Sequence, residues 1–201
     1  MKPPKDIQLE PWEQEILDAV ENGEFVSIPN FEKEKSEYEK IAEYTLKNMI
    51  TLQPATKEDA DFARETHHQA YRDVVEKQFK EWNNVKQDQF FDESWDEKTH
   101  EVILFKGEPC GYIHQEVRPD SVYVHELVIH PKFQNRGIGS RILRNIIKLA
   151  ESKNLSVLLQ TFHANRAIGL YKKFGFKEYK RTQTHILLRR NPKEKMSESS
   201  L

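Results

Sequence analysis

Cysteine is almost missing from this sequence: Cys110 is the only one in 201 residues. That excludes an internal disulfide, and one thiol alone makes no metal site. Its expected place is a buried strand position, where it acts as a small apolar side chain. Long apolar runs are missing as well. No stretch approaches the roughly 18 residues that a membrane span requires. The opening MKPPKDIQLEPWE has no apolar segment of the kind a signal peptide carries. A cytoplasmic protein with no membrane partner is the expectation. None of the 8 histidines falls in a zinc-binding spacing. Net charge is scarce too, at -2, which argues against general nucleic-acid binding.

What remains is 37% hydrophobic and 32% charged, enough for a core beneath a highly charged surface. The length suits one domain of ordinary size plus extra material. Charge is unevenly spread. Residues 1–48 carry 6 basic and 12 acidic side chains, and residues 49–130 carry 9 and 17. Residues 131–195 reverse the sign, with 16 basic against 3 acidic. That last block suits a polyanionic ligand, and the acidic middle block would favour a cationic one if it formed a facing wall.

The apolar pattern divides the chain into a helical extension, 1–48, a mixed α/β domain, 49–190, and a polar tail, 191–201. Pro11 opens one helix, and a second runs from Lys33 to Lys47. In the main domain, Thr56 begins a helix that reaches about Tyr71, and Val74 to Phe91 holds one or two more. Short strands follow at Val102–Phe105, Cys110–His114 and Val122–Ile129. Then come a helix over Gly137–Ser152, a strand over Val157–Thr161 and a helix over Asn165–Phe174. Two last strands cover Phe176–Tyr179 and His185–Leu188.

The strongest signal joins an apolar strand to an amphipathic helix through Gln134-Asn135-Arg136-Gly137-Ile138-Gly139-Ser140. Gly137 and Gly139 clear side chains from a place where a ligand must approach the backbone. The first-turn N–H groups then form an anion site, helped by the helix dipole and by the Arg136 guanidinium. The spacing is neither the dinucleotide fingerprint nor a Walker loop.

Gln134 to Ser140 resembles the pyrophosphate loop of the GNAT acetyltransferase superfamily. Asn165 to Phe176 resembles that superfamily's second cofactor motif, and the resemblance covers about Met49 to Arg190. It implies a GNAT-like acyl-CoA N-acyltransferase fold, with a mixed, mostly antiparallel central sheet flanked by helices. It implies acetyl-CoA as acyl donor and direct attack by a primary amine, carried on a small molecule, a peptide or a protein. Leu127, Val128 and Ile129 match the strand that pairs with the pantetheine arm, and they also read as sheet core. Asn165 matches a cofactor contact, and it also reads as a helix cap. Tyr171 matches the tyrosine that protonates the leaving thiolate. It equally belongs to an apolar stripe with Ala167, Leu170 and Phe174. A non-catalytic acyl-CoA-binding protein stays open as an alternative.

For the base, His125 and Glu126 are the candidates on the strand, along with a water-only route. Simple alternation puts Tyr123, His125 and Leu127 on one face, with Val124, Glu126 and Val128 on the other. A bulge would change that. His67 and His68 could line the acceptor cleft with Tyr71, although surface or cap roles are the expectation for them. The stretch from Trp12 to Leu46 resembles the leader of some ribbon-helix-helix antitoxins, with no such body after it. It implies no DNA binding, only an appendage that could recruit a protein partner. Monomer and homodimer both stay open.

Overall fold

The computed structural model describes residues 11–22, 30, 33–39 and 49–192. The chain divides into two compact units, Met1–Lys47 and Asn48–Leu201. In the first, helix α1 spans Pro11–Glu21 and α2 spans residues 33–39. Proline at the first position of α1 gives up only an N–H that has no intrahelical acceptor anyway. The expected continuation of α2 to Lys47 lies outside the described residues, as does nearly all of the expected tail.

In the second unit the strands are β1 Ile50–Pro54, β2 His100–Phe105, β3 Glu108–Val117 and β4 Ser121–Ile129. They continue with β5 Ser156–Phe162, β6 Lys177–Arg181 and β7 His185–Arg190. They form one seven-stranded sheet in the order β1-β2-β3-β4-β5-β7-β6. Every neighbouring pair is antiparallel except β4 and β5. This is the mixed, mostly antiparallel sheet that the sequence suggests.

Helix α5, Ile138–Ser152, covers one face. Its Ile142, Leu143, Ile146, Ile147 and Ala150 recur at helical spacing and pack with Val122, Val124, Val157, Leu159 and Leu188. Full burial of each large side chain contributes about 1.5–3 kcal/mol. Leu143 has no exposed surface, and truncating it to alanine should cost about 2–5 kcal/mol. The opposite face carries α3, Ala60–Phe79, and α4, Asn84–Ser94. There Ala63, Phe91, Tyr112 and Val128 make a smaller core with Ala70, Tyr71 and Trp95.

Helix α3 corrects the expected boundary near Tyr71. It runs through to Phe79 because neither glycine nor proline interrupts residues 71–79. The break comes at Lys80, whose φ of 65° is left-handed. Asn83 then starts α4 by accepting the Lys86 N–H on its side chain at 3.1 Å.

The site arises where β4 and β5 part. They pair only from Ser121–Ser156 to Val124–Leu159. Beyond that point β4 stays with β3 as far as Ile129, and β5 stays with β7 as far as Phe162. The sheet therefore splits into two halves over a cleft. Gly111 holds the β4 side in place. A Cβ there would stand 2.2 Å from the Val128 carbonyl oxygen, so only glycine permits this approach.

Candidate active site

Two cavities open along the split. The first, about 730 Å³, is lined by Leu127, Val128, Ile129, Gln134, Asn135, Gly137, Ile138, Gly139, Ser140 and Asn165, among others. Gly137 caps α5 with φ 79°, and Asn135 is also left-handed at φ 62°. The first bond of the helix runs from Arg141 N–H to Gly137 C=O at 3.0 Å. The N–H groups of Ile138, Gly139 and Ser140 thus have no intrahelical acceptor. A Cβ on Gly139 would meet no protein atom within 4 Å, so the protein's own packing does not demand glycine there. Open space above free N–H groups at a helix start fits a phosphate.

The strand side fits an extended arm. His130 N–H bonds Cys110 C=O at 2.9 Å, and the Val128 carbonyl points at Gly111. Alternation then puts the peptide groups of Leu127 and Ile129 on the free edge. The Ile129 carbonyl is already held by the Gln134 side-chain amide at 2.7 Å. Gln134 also accepts from the Arg166 guanidinium, so its side chain ties the loop together within the protein. Arg136 departs from expectation: it is not among the residues lining this cavity, and its guanidinium lies 5.2 Å over the Phe133 ring. Asn165 lines both cavities and is not the helix cap it was expected to be: Ala167 caps the helix Ile168–Lys173, and the Asn165 side chain closes the turn before it by accepting the Ala167 N–H at 2.8 Å.

The second cavity, about 600 Å³, lies between the α3–α4 side and the β5 edge. It shares Tyr71, Leu127, Asn165 and Tyr171 with the first. Burial pushes the Tyr171 hydroxyl up to about 12, so it carries its proton at neutral pH. Tyr71 is pushed further in the same direction by burial, then by Glu126 and Tyr171. Tyr171 also packs on Phe176, with ring centroids 5.9 Å apart, which is the packing expected of the apolar stripe.

His125 and Glu126 both line the second cavity, and a bulge explains why. Glu126 faces His114 and Val124 faces Gln115, leaving His125 as the extra residue of β4. The simple alternation is overturned past this point. Leu127 joins Val124 on the α5 side, and Val128 joins the small core opposite. His125 and Glu126 end up together. The His125 ring stacks on His114 at 4.3 Å, and its Nε2 lies 3.1 Å from the exposed Glu116. Glu126 lies 3.1 Å from Nε2 of His100, which is 2% exposed. Nδ1 of His100 lies 2.8 Å from the Asp96 carbonyl oxygen.

His67 overturns the expected surface role. It is 6% exposed, lines the second cavity and meets the Tyr112 hydroxyl through Nδ1 at 3.2 Å. Its Nε2 has no hydrogen-bond partner. Burial pushes its pKa below the ordinary value, against smaller upward pulls from Glu126 and the Gln87 side chain. His68 pairs with Asp88 at 3.0 Å. An acidic wall does not form either. Among the described residues, only Glu81 and Glu126 bring carboxylates to the second cavity, while Arg64 takes Asp88 and Asp92. Sequence reasoning passed over Gln78, which donates to Thr184 C=O at 2.9 Å and accepts from Ala164 N–H at 3.1 Å. It also passed over His100 and Phe162. Nothing local distinguishes these three from ordinary helix or strand positions. Among the described residues, no group of three or more His, Cys, Asp or Glu is placed to hold a metal ion. No helix among them is long and apolar enough to cross a membrane.

A sheet split beside a glycine-marked helix start defines a class, and comparison with known proteins identifies it. Residues 63–176 match the acetyltransferase (GNAT) family. The chain belongs to that family. It is 28% identical over 150 residues to an uncharacterised N-acetyltransferase of Methanocaldococcus jannaschii, covering 67% of this chain and 64% of that protein. The chain thus spans less than two thirds of that relative's length. Its fold is similar to the PaiA N-acetyltransferase of Thermoplasma acidophilum solved with coenzyme A. The TM-score is 0.59 at 13% identity, over 71% of this chain and 99% of that one. An acetyltransferase of Thermus thermophilus matches at TM-score 0.56 and 17% identity, over 72% and 98%.

Proposed function

We propose that the chain transfers the acetyl group of acetyl-CoA to a primary amine, by direct attack in a ternary complex. The observation that carries this reading is the junction of two cavities at Tyr71, Leu127, Asn165 and Tyr171. A donor in one and an acceptor in the other would meet there without a covalent enzyme intermediate. Cys110 is unsuited to such an intermediate, being buried in the core with its thiol pushed up to about 12 by burial.

Acetyl-CoA supplies the thioester that is attacked. The N–H groups of Ile138, Gly139 and Ser140 would hold its phosphates, and the free edge at Leu127 and the Ile129 N–H would orient the arm. Glu126, coupled to His100, takes the proton from the attacking amine. We favour it over His125, whose Nε2 is engaged by Glu116 outside the cavity. Tyr171 donates its hydroxyl proton to the departing sulfur. Acid and base steps of this kind contribute typically about 10²–10⁴-fold each. We place the protein in the cytoplasm, and we propose that residues 1–48 act as a separate appendage for a protein partner.

The test is thiol release from acetyl-CoA across a panel of amines, with the acetylated product identified by mass spectrometry. Stoichiometric thiol and acetyl-amine are expected. Coenzyme A binding without either product would leave an acyl-CoA-binding protein instead.

A further inference from the structure

The two cavities differ in lining, and the second says what kind of amine it takes. Phe162 on β5 lines it. The ring meets Tyr71 edge-on at 6.2 Å, meets Phe79 edge-on at 5.7 Å and stacks on His185 at 4.4 Å. Phe79 and Phe90 line the same cavity while remaining 44% and 55% exposed. Large apolar side chains left in water beside a cavity gain by covering each other with an apolar ligand.

Charge points the same way. Of the two carboxylates that reach this cavity, Glu81 is already near Lys86, with Nζ 3.5 Å from Oε1. That leaves Glu126, shared with His100, for a single ammonium. A second cationic group on the acceptor would meet only Glu81, an exposed carboxylate that already has Lys86 beside it. Length is limited too. Gln78 bridges the end of α3 to Thr184 and to Ala164, which narrows the gap between α3 and the β6–β7 turn.

We propose that the acceptor is a small primary amine on an apolar, ring-sized body, seated among Phe162, Phe79, Tyr71 and Phe90, with its nitrogen toward Glu126 and Tyr171. This rests on the transferase reading. The cavity's size, about 600 Å³, suits such a ligand.

The experiment compares kcat/KM for 2-phenylethylamine, hexylamine, 1,6-diaminohexane and a short peptide with a free N-terminus. Coenzyme A affinity is measured separately by calorimetry. A pocket contact as small as one methylene is worth about tenfold or more, so 2-phenylethylamine should exceed the diamine by at least about tenfold. Phe79→Ala and Phe90→Ala alter exposed positions and leave folding intact. Each should raise the KM for 2-phenylethylamine several-fold and that for methylamine far less. Equal kcat/KM across the panel, or preference for the diamine or the peptide, would overturn the apolar acceptor while sparing the transferase. No turnover of any amine by a protein that binds coenzyme A would overturn both.

Discussion

The cavity proposed for the cofactor and the one proposed for the acceptor are neighbours built by opposite means. The first depends on backbone: first-turn N–H groups of α5, the free edge of β4 and a glycine that leaves open space. The second depends on side chains from α3, α4, β4 and β5 that are far apart in sequence. A backbone site tolerates truncation of surrounding side chains and fails when its space is filled. A side-chain site should behave in the reverse way. The shared residue Tyr171 lines both, and on the proposed mechanism it carries chemistry rather than affinity.

Tyr171→Phe should therefore give the largest effect. It keeps the ring packed on Phe176 and removes only the proton donor. We expect kcat to fall by about 10²–10⁴-fold with coenzyme A affinity nearly unchanged. Steady-state kinetics beside calorimetry would check the split, and parallel losses in both would erase the distinction between the cavities.

Gly139→Leu comes next. Its Cβ meets no protein atom, so thermal stability should stay close to wild type, helped by leucine's better helix propensity. The added side chain fills space meant for the ligand, and coenzyme A affinity should drop by about 10²-fold. Gly137 is a poorer test because its φ of 79° penalises any side chain regardless of ligand.

His67 tests the acceptor side through pH. Its pKa is lowered by burial, so the unfolded chain binds the proton first. This group costs no stability above about pH 6.5, and destabilises progressively as pH falls toward its lower folded value. Urea midpoints at pH 7.5 and 5.5 should thus differ less in His67→Phe than in wild type. An unchanged difference would mean that other groups, such as His114 and His185, account for all of it.

Arg136→Ala should have the smallest effect. The side chain covers Phe133 and is not among the residues lining the cofactor cavity. We expect less than about threefold in coenzyme A affinity, in keeping with weak exposed charge contacts. A tenfold loss would show that this site depends on side chains after all.

The same contrast explains what could be read from sequence. Gly137 and Gly139 follow an apolar strand and open an amphipathic helix, so motif and surroundings lie within one short segment. The strand and helix order was legible from periodicity for the same reason. The α3 boundary was missed because Arg72 and Asp73 look like a polar break yet suit a helix surface, while Lys80 gives no sign of its left-handed turn. The joint placement of His125 and Glu126 rests on a bulge fixed by pairing with Gln115 and His114, on another strand. His67 reads as a surface histidine until Tyr71, Phe91 and Tyr112 are seen around it. The need for glycine at 111 depends on Val128, across the sheet. The place of the Arg136 side chain over Phe133 could not be read from its position beside the glycine loop.

Initial rates measured while both acetyl-CoA and an apolar amine are varied test the central claim most directly. Two cavities meeting at Tyr71, Leu127, Asn165 and Tyr171 predict intersecting double-reciprocal lines, with one acetylated amine formed per thiol released. Parallel lines with an acetylated protein detectable before amine is added would contradict it.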